Sequence, residues 1–494
     1  MKTAIQPTRK ENYPEWYQQV IKAGDLAEPS PVRGCMTIKP WGFAIWEAIQ
    51  KELNTQFQKT GVENIYCPLF IPLRFLEQEA AHVDGFAKEC AVVTHHRLKA
   101  STDGTLIPDG ELSEPLVVRP TSETLIGDLF SRWVSSYRDL PLLVNQWANI
   151  VRWEMRTRMF LRTSEFLWQE GHTAHANADE AKEQALEKLK LYAEFCENHL
   201  AMPVIQGEKS ATERFPGADQ TLCIEAMMQD GKALQAGTSH FLGQNFSKAF
   251  EIQYLGEDGK QHLCWTTSWG VSTRLIGGII MTHSDDDGLR LPPKVAPSQI
   301  IIMPVSHKDT DEKALFAYCQ TIADALRAIT FNHEPIRVKI DKRPLRGGEK
   351  AWHWVKKGAP IRLEIGAKEL ANKTVYMGRR DQGYKDKMAL PLNDFYTKAS
   401  NILTEIQDRY YQEALERQQA MTTTIDNLDD FYAFFKKQTG FVAGYWVEDE
   451  ALEAKIKQDL GVTVRCFPLD HHDKGPCLMT QKPGGRWTVF AKAY

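Results

Sequence analysis

The chain has 494 residues, too many for one compact core, so about three domains of roughly 100–200 residues each are expected. With 43% hydrophobic and 25% charged residues, the composition excludes a disordered, collagen-like or solenoid chain. Sixty Lys and Arg against 64 Asp and Glu leave a net charge of −4, which excludes a uniformly basic wrapper of nucleic acid but not a local basic face.

In chain order, a helix is expected over residues 41–58, with Trp41, Ile45, Ala48, Ile49 and Leu53 at helical spacing behind Pro40. A β-like run follows from Ile65 to Pro72. Between 115 and 170 short apolar strands alternate with polar turns. Ile150–Glu154 and Phe166–Trp168 flank the basic stretch Arg156-Thr157-Arg158, which predicts an antiparallel hairpin with a charged tip. Residues 177–200 form an amphipathic helix with Ala181, Ala185, Leu189, Tyr192 and Phe195 on one stripe. Strands are expected at 250–254 and 263–265. Trp269–Gly278 reads as a strand end running into a helix, and the whole region as α+β.

Acidic residues, Gly and Pro concentrate between Ser284 and Pro297, as in a linker. Beyond it, strands at 300–305, 337–340 and 361–365 alternate with helical patterns, one of them at 310–328, which favours a small α/β sheet. A helical stretch from about 400 leads into a last small domain ending at Tyr494.

The motif search is mostly negative. No Walker loop, Gly-x-Gly-x-x-Gly, His-Glu-x-x-His or Gly-x-Ser-x-Gly occurs, which argues against a P-loop ATPase, a Rossmann dehydrogenase and a zincin. His95-His96 and Asp470-His471-His472-Asp473 lack metal-site spacing and read as solvated loops. Nine scattered cysteines without a Cys-x-x-Cys pair read as reduced thiols of a cytoplasmic protein. Met1–Asn12 has no apolar stretch of signal length, and no run approaches a membrane span. Residues 337–387 hold 15 Lys and Arg against 6 Asp and Glu, interleaved with Trp352, His353, Trp354 and Tyr376. That combination fits a reader of unpaired RNA bases, which stack on aromatic rings beside phosphate-binding cations.

Three separated segments resemble the signature motifs of class II aminoacyl-tRNA synthetases: Arg33–Pro40 with the helix and strand after it, Arg152-Trp153-Glu154 with Arg162–Phe166, and Gly270–Arg274. Arg119–Glu123, Leu167–His172, Gly237–Phe246 and the terminal Phe490–Tyr494 resemble the prolyl-tRNA synthetases, in the archaeal/eukaryote-like form with a C-terminal extension. The likeness spans nearly the whole chain. It implies an α+β catalytic domain on an antiparallel sheet (1–290), an α/β anticodon-binding domain (298–398) and a small α+β C-terminal domain (400–494).

The resemblance implies proline activation by ATP and transfer to tRNA-Pro. No protein nucleophile is needed, so positioning and electrostatics carry the rate. Arginine suits the phosphates through its permanently charged planar fork. By resemblance Arg152 and Arg274 are the catalytic cations. Arg152 holds the α-phosphate and the proline carboxylate, and Arg162 and Arg274 the outer phosphates. Glu154 faces adenine and Phe166 stacks on it, while Gln235, Thr238 and Ser272 complete the ATP contacts. Proline's secondary ammonium needs two acceptors and its ring needs flat walls. Thr121 and Glu123 are the expected acceptors, and Trp168, Glu170, His172, Phe215 and His240 the expected walls and rim.

The gap from His172 to Gln235 leaves no room for an editing insertion. ATP is expected with Mg2+, and a homodimer through the first motif. The C-terminal domain of this form often holds a metal on four cysteines. Here Tyr445–Glu448 and Ala451–Glu453 carry none, and Cys477 stands alone in the later pair, so no structural zinc is expected. A threonyl- or glycyl-type synthetase, or a non-catalytic RNA-binding relative, is the alternative. The proline-type strings argue against the first, and the three intact motif arginines against the second.

Overall fold

The computed structural model describes residues 3–78, 89–306 and 310–494. Its centre is a sheet whose strands we label in chain order: β1 (Glu63–Asn64), β2 (Leu142–Val151), β3 (Glu165–His175), β4 (Val204–Glu208), β5 (Gln220–Met227), β6 (Ala233–Gly243), β7 (Trp265–Ser272), β8 (Thr422–Thr424), β9 (Phe441–Trp446), β10 (Val462–Pro468) and β11 (Gly485–Lys492). Across the sheet the order is β8-β9-β11-β10-β4-β5-β6-β7-β3-β2-β1. From β10 to β2 all neighbours are antiparallel.

The expected hairpin is β2–β3, paired from Leu142↔Ala174 to Val151↔Glu165, with Arg156–Arg158 in its connection. The helix Pro40–Lys59 buries Trp41, Ile45, Trp46, Ile49, Leu53 and Phe57. The helix Ala178–Asn198 starts where the Asn177 side chain accepts from the Glu180 backbone N–H at 2.9 Å, which satisfies one of the helix's unpaired donors. Both helices close the core beneath β3, β6 and β7, where Phe57, Tyr192 and Trp269 meet at ring distances of 4.9–6.3 Å.

Several expectations change. The run from Ile65 to Pro72 is extended mainly at Phe70–Pro72, because Pro68 cannot donate to a ladder. His95 and His96 lie on a ten-residue strand, Ala91–Ala100, hairpinned to Leu106–Val118, rather than in a loop. Around 250, a short helix (Asn245–Phe250) precedes the strand Gln253–Leu255.

The second domain is a five-stranded sheet in the order Val338–Ile340, Ile300–Pro304, Ile361–Ile365, Thr374–Arg379, Lys387–Pro391, with the first three strands parallel. The linker-like segment before it is not loose. Leu289, Leu291 and Val295 are buried, and Asp285 Oδ2 accepts from Arg380 Nη1 at 2.7 Å. Trp354, read as a base-stacking residue, is buried edge-on against Trp41 at 5.5 Å and donates from Nε1 to Asp341 at 2.8 Å. It is interdomain core. Trp352 stacks on Tyr384 at 4.4 Å and stays half-buried. The helix expected from about 400 begins earlier and runs Leu392–Ala420. The C-terminal strands do not form a free-standing unit: β10 pairs with β4 through Phe467↔Glu208 and Pro468↔Gly207, so the last domain extends the central sheet.

Candidate active site

A cavity of about 320 Å³ opens over one face of this sheet. Successive side chains of a strand alternate between faces, so Phe166, Trp168, Glu170 and His172 form one row on β3. The first three line the cavity. His172 continues the row beyond it, behind Glu170, where it borders a separate small apolar space. It is therefore not a wall of the cavity itself. On β6, Gln235 and Thr238 both reach the cavity despite their odd spacing. A bulge allows this: Ile224 pairs with Gly237 but Glu225 with Gln235, leaving Ala236 as the extra residue.

Arg152 follows the last residue of β2, and Arg274 opens the helix Arg274–His283 just beyond β7. Both line the cavity with Ser272. An adjoining space of about 250 Å³ shares Arg152, Phe166, Ser272 and Arg274 and adds Glu89, Glu154 and Arg162. The expected phosphate and adenine residues thus meet around two connected hollows. Arg152 donates from Nε to the Pro120 carbonyl at 2.8 Å, and its guanidinium lies 5.6 Å from the Trp168 ring and 5.9 Å from Phe166. Scarce solvent lowers the Arg152 pKa, against the pull of Glu123, Glu89 and Glu170. The Arg274 pKa is pushed down to about 10 by the same desolvation and by the nearby charges of Arg162 and Arg152. Three mutually repelling cations around a recess favour a polyanion between them.

At the other end Thr121 donates from Oγ1 to the Glu123 carboxylate, and both are buried. Glu170 Oε1 accepts from Ser122 Oγ and Gln146 Nε2, each at 2.5 Å, and its Oε2 lies 3.2 Å from His172 Nε2. Burial opposes a charged imidazole at His172. The hydrogen bond to Glu170 and the charges of Glu170 and Glu123 outweigh it and raise its pKa. The His240 ring lies 4.4 Å from Phe215, and its Nδ1 is 3.0 Å from Thr221 Oγ1. Two carboxylates beside flat rings can hold a small cation with an apolar body.

The sequence reading missed Glu213, Arg214, Pro216, Thr221 and Ser268 on the cavity wall, and Glu89 in the adjoining space. Arg214 precedes Phe215 directly, which was the available signal. Among the described residues, Trp168 Nε1, Arg214 Nε and Ser268 Oγ are buried without hydrogen-bond partners. A buried donor on a cavity wall is costly to leave unmet, so these atoms suit a polar ligand. No three His, Cys, Asp or Glu side chains among the described residues converge to hold a metal.

The description "tRNA synthetase class II core domain (G, H, P, S and T)" matches residues 107–283, "Anticodon binding domain" 299–401, and "Prolyl-tRNA synthetase, C-terminal" 428–494. The proline–tRNA ligase of Bdellovibrio bacteriovorus is 56% identical over 100% of this chain and 99% of its own. That of Paramagnetospirillum magneticum is 56% identical with the same coverage. Among solved structures, the Cryptosporidium parvum prolyl-tRNA synthetase complexed with halofuginone and AMPPNP superposes with a TM-score of 0.90 at 37% identity, over 99% of this chain and 97% of that one. The same enzyme with L-proline and AMP gives 0.89 at 36% identity. With matching sequence from end to end, and with Arg152 and Arg274 around one recess with Glu123 and Glu170, the chain belongs to the prolyl-tRNA synthetases, a family of class II aminoacyl-tRNA synthetases.

Proposed function

We infer that this chain is a proline–tRNA ligase. A carboxylate oxygen of L-proline attacks the α-phosphorus of ATP and pyrophosphate leaves. A ribose hydroxyl at the 3′ end of tRNA-Pro then attacks the prolyl carbonyl, loses its proton and releases AMP. The observation that carries this reading is the sharing of one recess by Arg152 and Arg274 with Thr121, Glu123 and Glu170.

Each role follows from chemistry. Arg152 borders both hollows, suited to bridging the proline carboxylate and the α-phosphate as charge develops between them. Arg274 and Arg162 take the outer phosphates. Phe166 offers a face to adenine and Glu154 an acceptor to its edge, while Gln235, Thr238 and Ser272 supply ribose and phosphate contacts. Thr121 and Glu123 accept from the proline ammonium, and Trp168, Phe215 and His240 enclose the ring beside Glu170. His172 acts one layer back by holding Glu170. A Mg2+ ion accompanying ATP would find an oxygen ligand in the Glu89 carboxylate and would offset phosphate charge there, since hard cations take oxygen ligands.

The division into 1–290, 298–398 and 400–494 assigns the basic segment 337–387 to tRNA. Tyr66, 79% exposed, and Phe70, 44% exposed, follow the helix of the first motif, and a symmetric second copy packed on that motif would cover such rings. The reading places the enzyme in the cytoplasm without a structural zinc. The test is ATP–pyrophosphate exchange with each amino acid, followed by charging of tRNA-Pro transcripts. Exchange with proline and not with threonine or glycine is expected. Exchange with none, or better with threonine, overturns the reading.

A further inference from the structure

The loop between β4 and β5, residues 209–219, carries Glu213, Arg214, Phe215 and Pro216 onto the cavity wall. Within the catalytic domain it is held at both ends. Phe215 N–H donates to Thr221 Oγ1 at 3.0 Å, and Lys209 Nζ donates to Glu225 Oε1 at 2.7 Å. In between, its polar groups turn to the C-terminal domain. Glu453 accepts from Ser210 Oγ at 3.1 Å and from Thr212 Oγ1, and also from the domain's own Trp446 Nε1 at 3.3 Å. Glu448 Oε2 accepts from the Ala211 backbone N–H at 3.1 Å, and Lys457 Nζ lies 3.3 Å from Glu213. Beneath the loop the seam is locked: Lys209 Nζ also donates to the Arg465 carbonyl at 2.8 Å.

We propose that the C-terminal domain sets the amino-acid end of the active site by holding this loop through Glu448 and Glu453, which act as positioning residues for Phe215 and Arg214. The stretch searched above for zinc-binding thiolates thus carries two carboxylates with a different task. The physical reason is local. A short loop that presents a ring to a small substrate gains selectivity only if that ring is fixed, since ordering it at binding would cost affinity. Carboxylates accepting from hydroxyls and a backbone N–H make charge-assisted bonds, stronger than neutral ones. The exposed Lys457–Glu213 pair adds little. Phe215 faces His240, so loosening the loop should be felt at the proline end and not at the phosphates.

The inference rests on the proline–tRNA ligase reading, and its test separates the two. In full-length Glu448→Ala/Glu453→Ala protein, exchange kinetics should show KM for proline raised about five-fold or more, with KM for ATP changed less than about two-fold. Hydrogen exchange of peptides covering 209–218 should quicken in the same variant without substrates. Glu453→Gln, which keeps an acceptor oxygen, should restore most of the proline KM when compared with Glu453→Ala. Unchanged proline KM overturns the inference, as does equal weakening of proline and ATP, or unchanged protection of the loop. A lowered melting temperature with normal kinetics also overturns it, since the contacts would then be a staple only. Should the double variant not fold, the Glu453→Gln and Glu453→Ala pair decides by the same criteria. A wild-type enzyme inactive with proline would instead sink the underlying reading and leave the loop-protection measurement standing.

Discussion

Glu225 on β5 and Arg465 on β10 lie 240 residues apart in sequence and are joined in a two-pronged ion pair, with Arg465 Nη2 3.0 Å from each carboxylate oxygen. Neither side chain is open to solvent, and Lys209 adds a second cation on Glu225 Oε1. Burial opposes the charge on Glu225, and the two cations override it, holding its pKa below the ordinary carboxylate value.

Removing one member of a buried ion cluster strands the others, at a cost of about 3–5 kcal/mol. Glu225→Ala should be the worst single change, because it strands two cations, and Arg465→Ala should cost less. The apolar pair Glu225→Leu/Arg465→Met should recover part of the loss. Thermal melts of the four proteins check this order. Arg465→Ala melting lower than Glu225→Ala would contradict it.

The motif arginines make a sharper test of catalysis. Arg152→Lys keeps a charge but loses the planar fork, and a drop of about 10²–10³ in proline-dependent exchange is expected. Arg274→Ala should do the same with KM for ATP raised. Melting temperatures measured on the same two variants separate lost catalysis from lost folding.

His172 gives a pH signature. Its pKa is raised in the folded protein, so the folded state binds a proton that the unfolded state gives up near pH 6.5. The stabilisation is complete below the unfolded value and fades as pH rises through the folded one. The melting-temperature gap between wild type and His172→Gln should therefore be widest near pH 6 and narrow toward pH 9. A gap that widens with pH would show that the imidazole is neutral in the fold.

Trp354 and Trp352 should part company. Trp354→Ala empties an interdomain site beside Trp41 and should cost about 3–5 kcal/mol of stability. Trp352→Ala should cost far less, because its ring stacks at the half-buried edge on Tyr384. Comparison of the two melts, with charging kinetics on tRNA-Pro alongside, tests whether the former is core.

The sequence by itself was enough for the elements with strong local signals. The helices Pro40–Lys59 and Ala178–Asn198 follow from apolar spacing, the former with Pro40 in its first turn, and the β2–β3 hairpin from two apolar runs around a basic turn. The family resemblance supplied fifteen site residues, thirteen of them inside the motif strings, and fourteen border the two connected hollows. The tertiary structure decided what depends on partners distant in the chain. His172 shares its strand face with Glu170 yet lies one layer back, because the cavity ends before the strand does. Trp354 shares its helix with Trp352, but only it meets Trp41 from another domain. A bulge at Ala236 put Gln235 and Thr238 on one face, against simple alternation. The 210–216 loop reads as an ordinary polar connection until the C-terminal carboxylates close over it. Local periodicity encodes which face a residue takes, but what covers that face is fixed only when the chain is closed into one sheet.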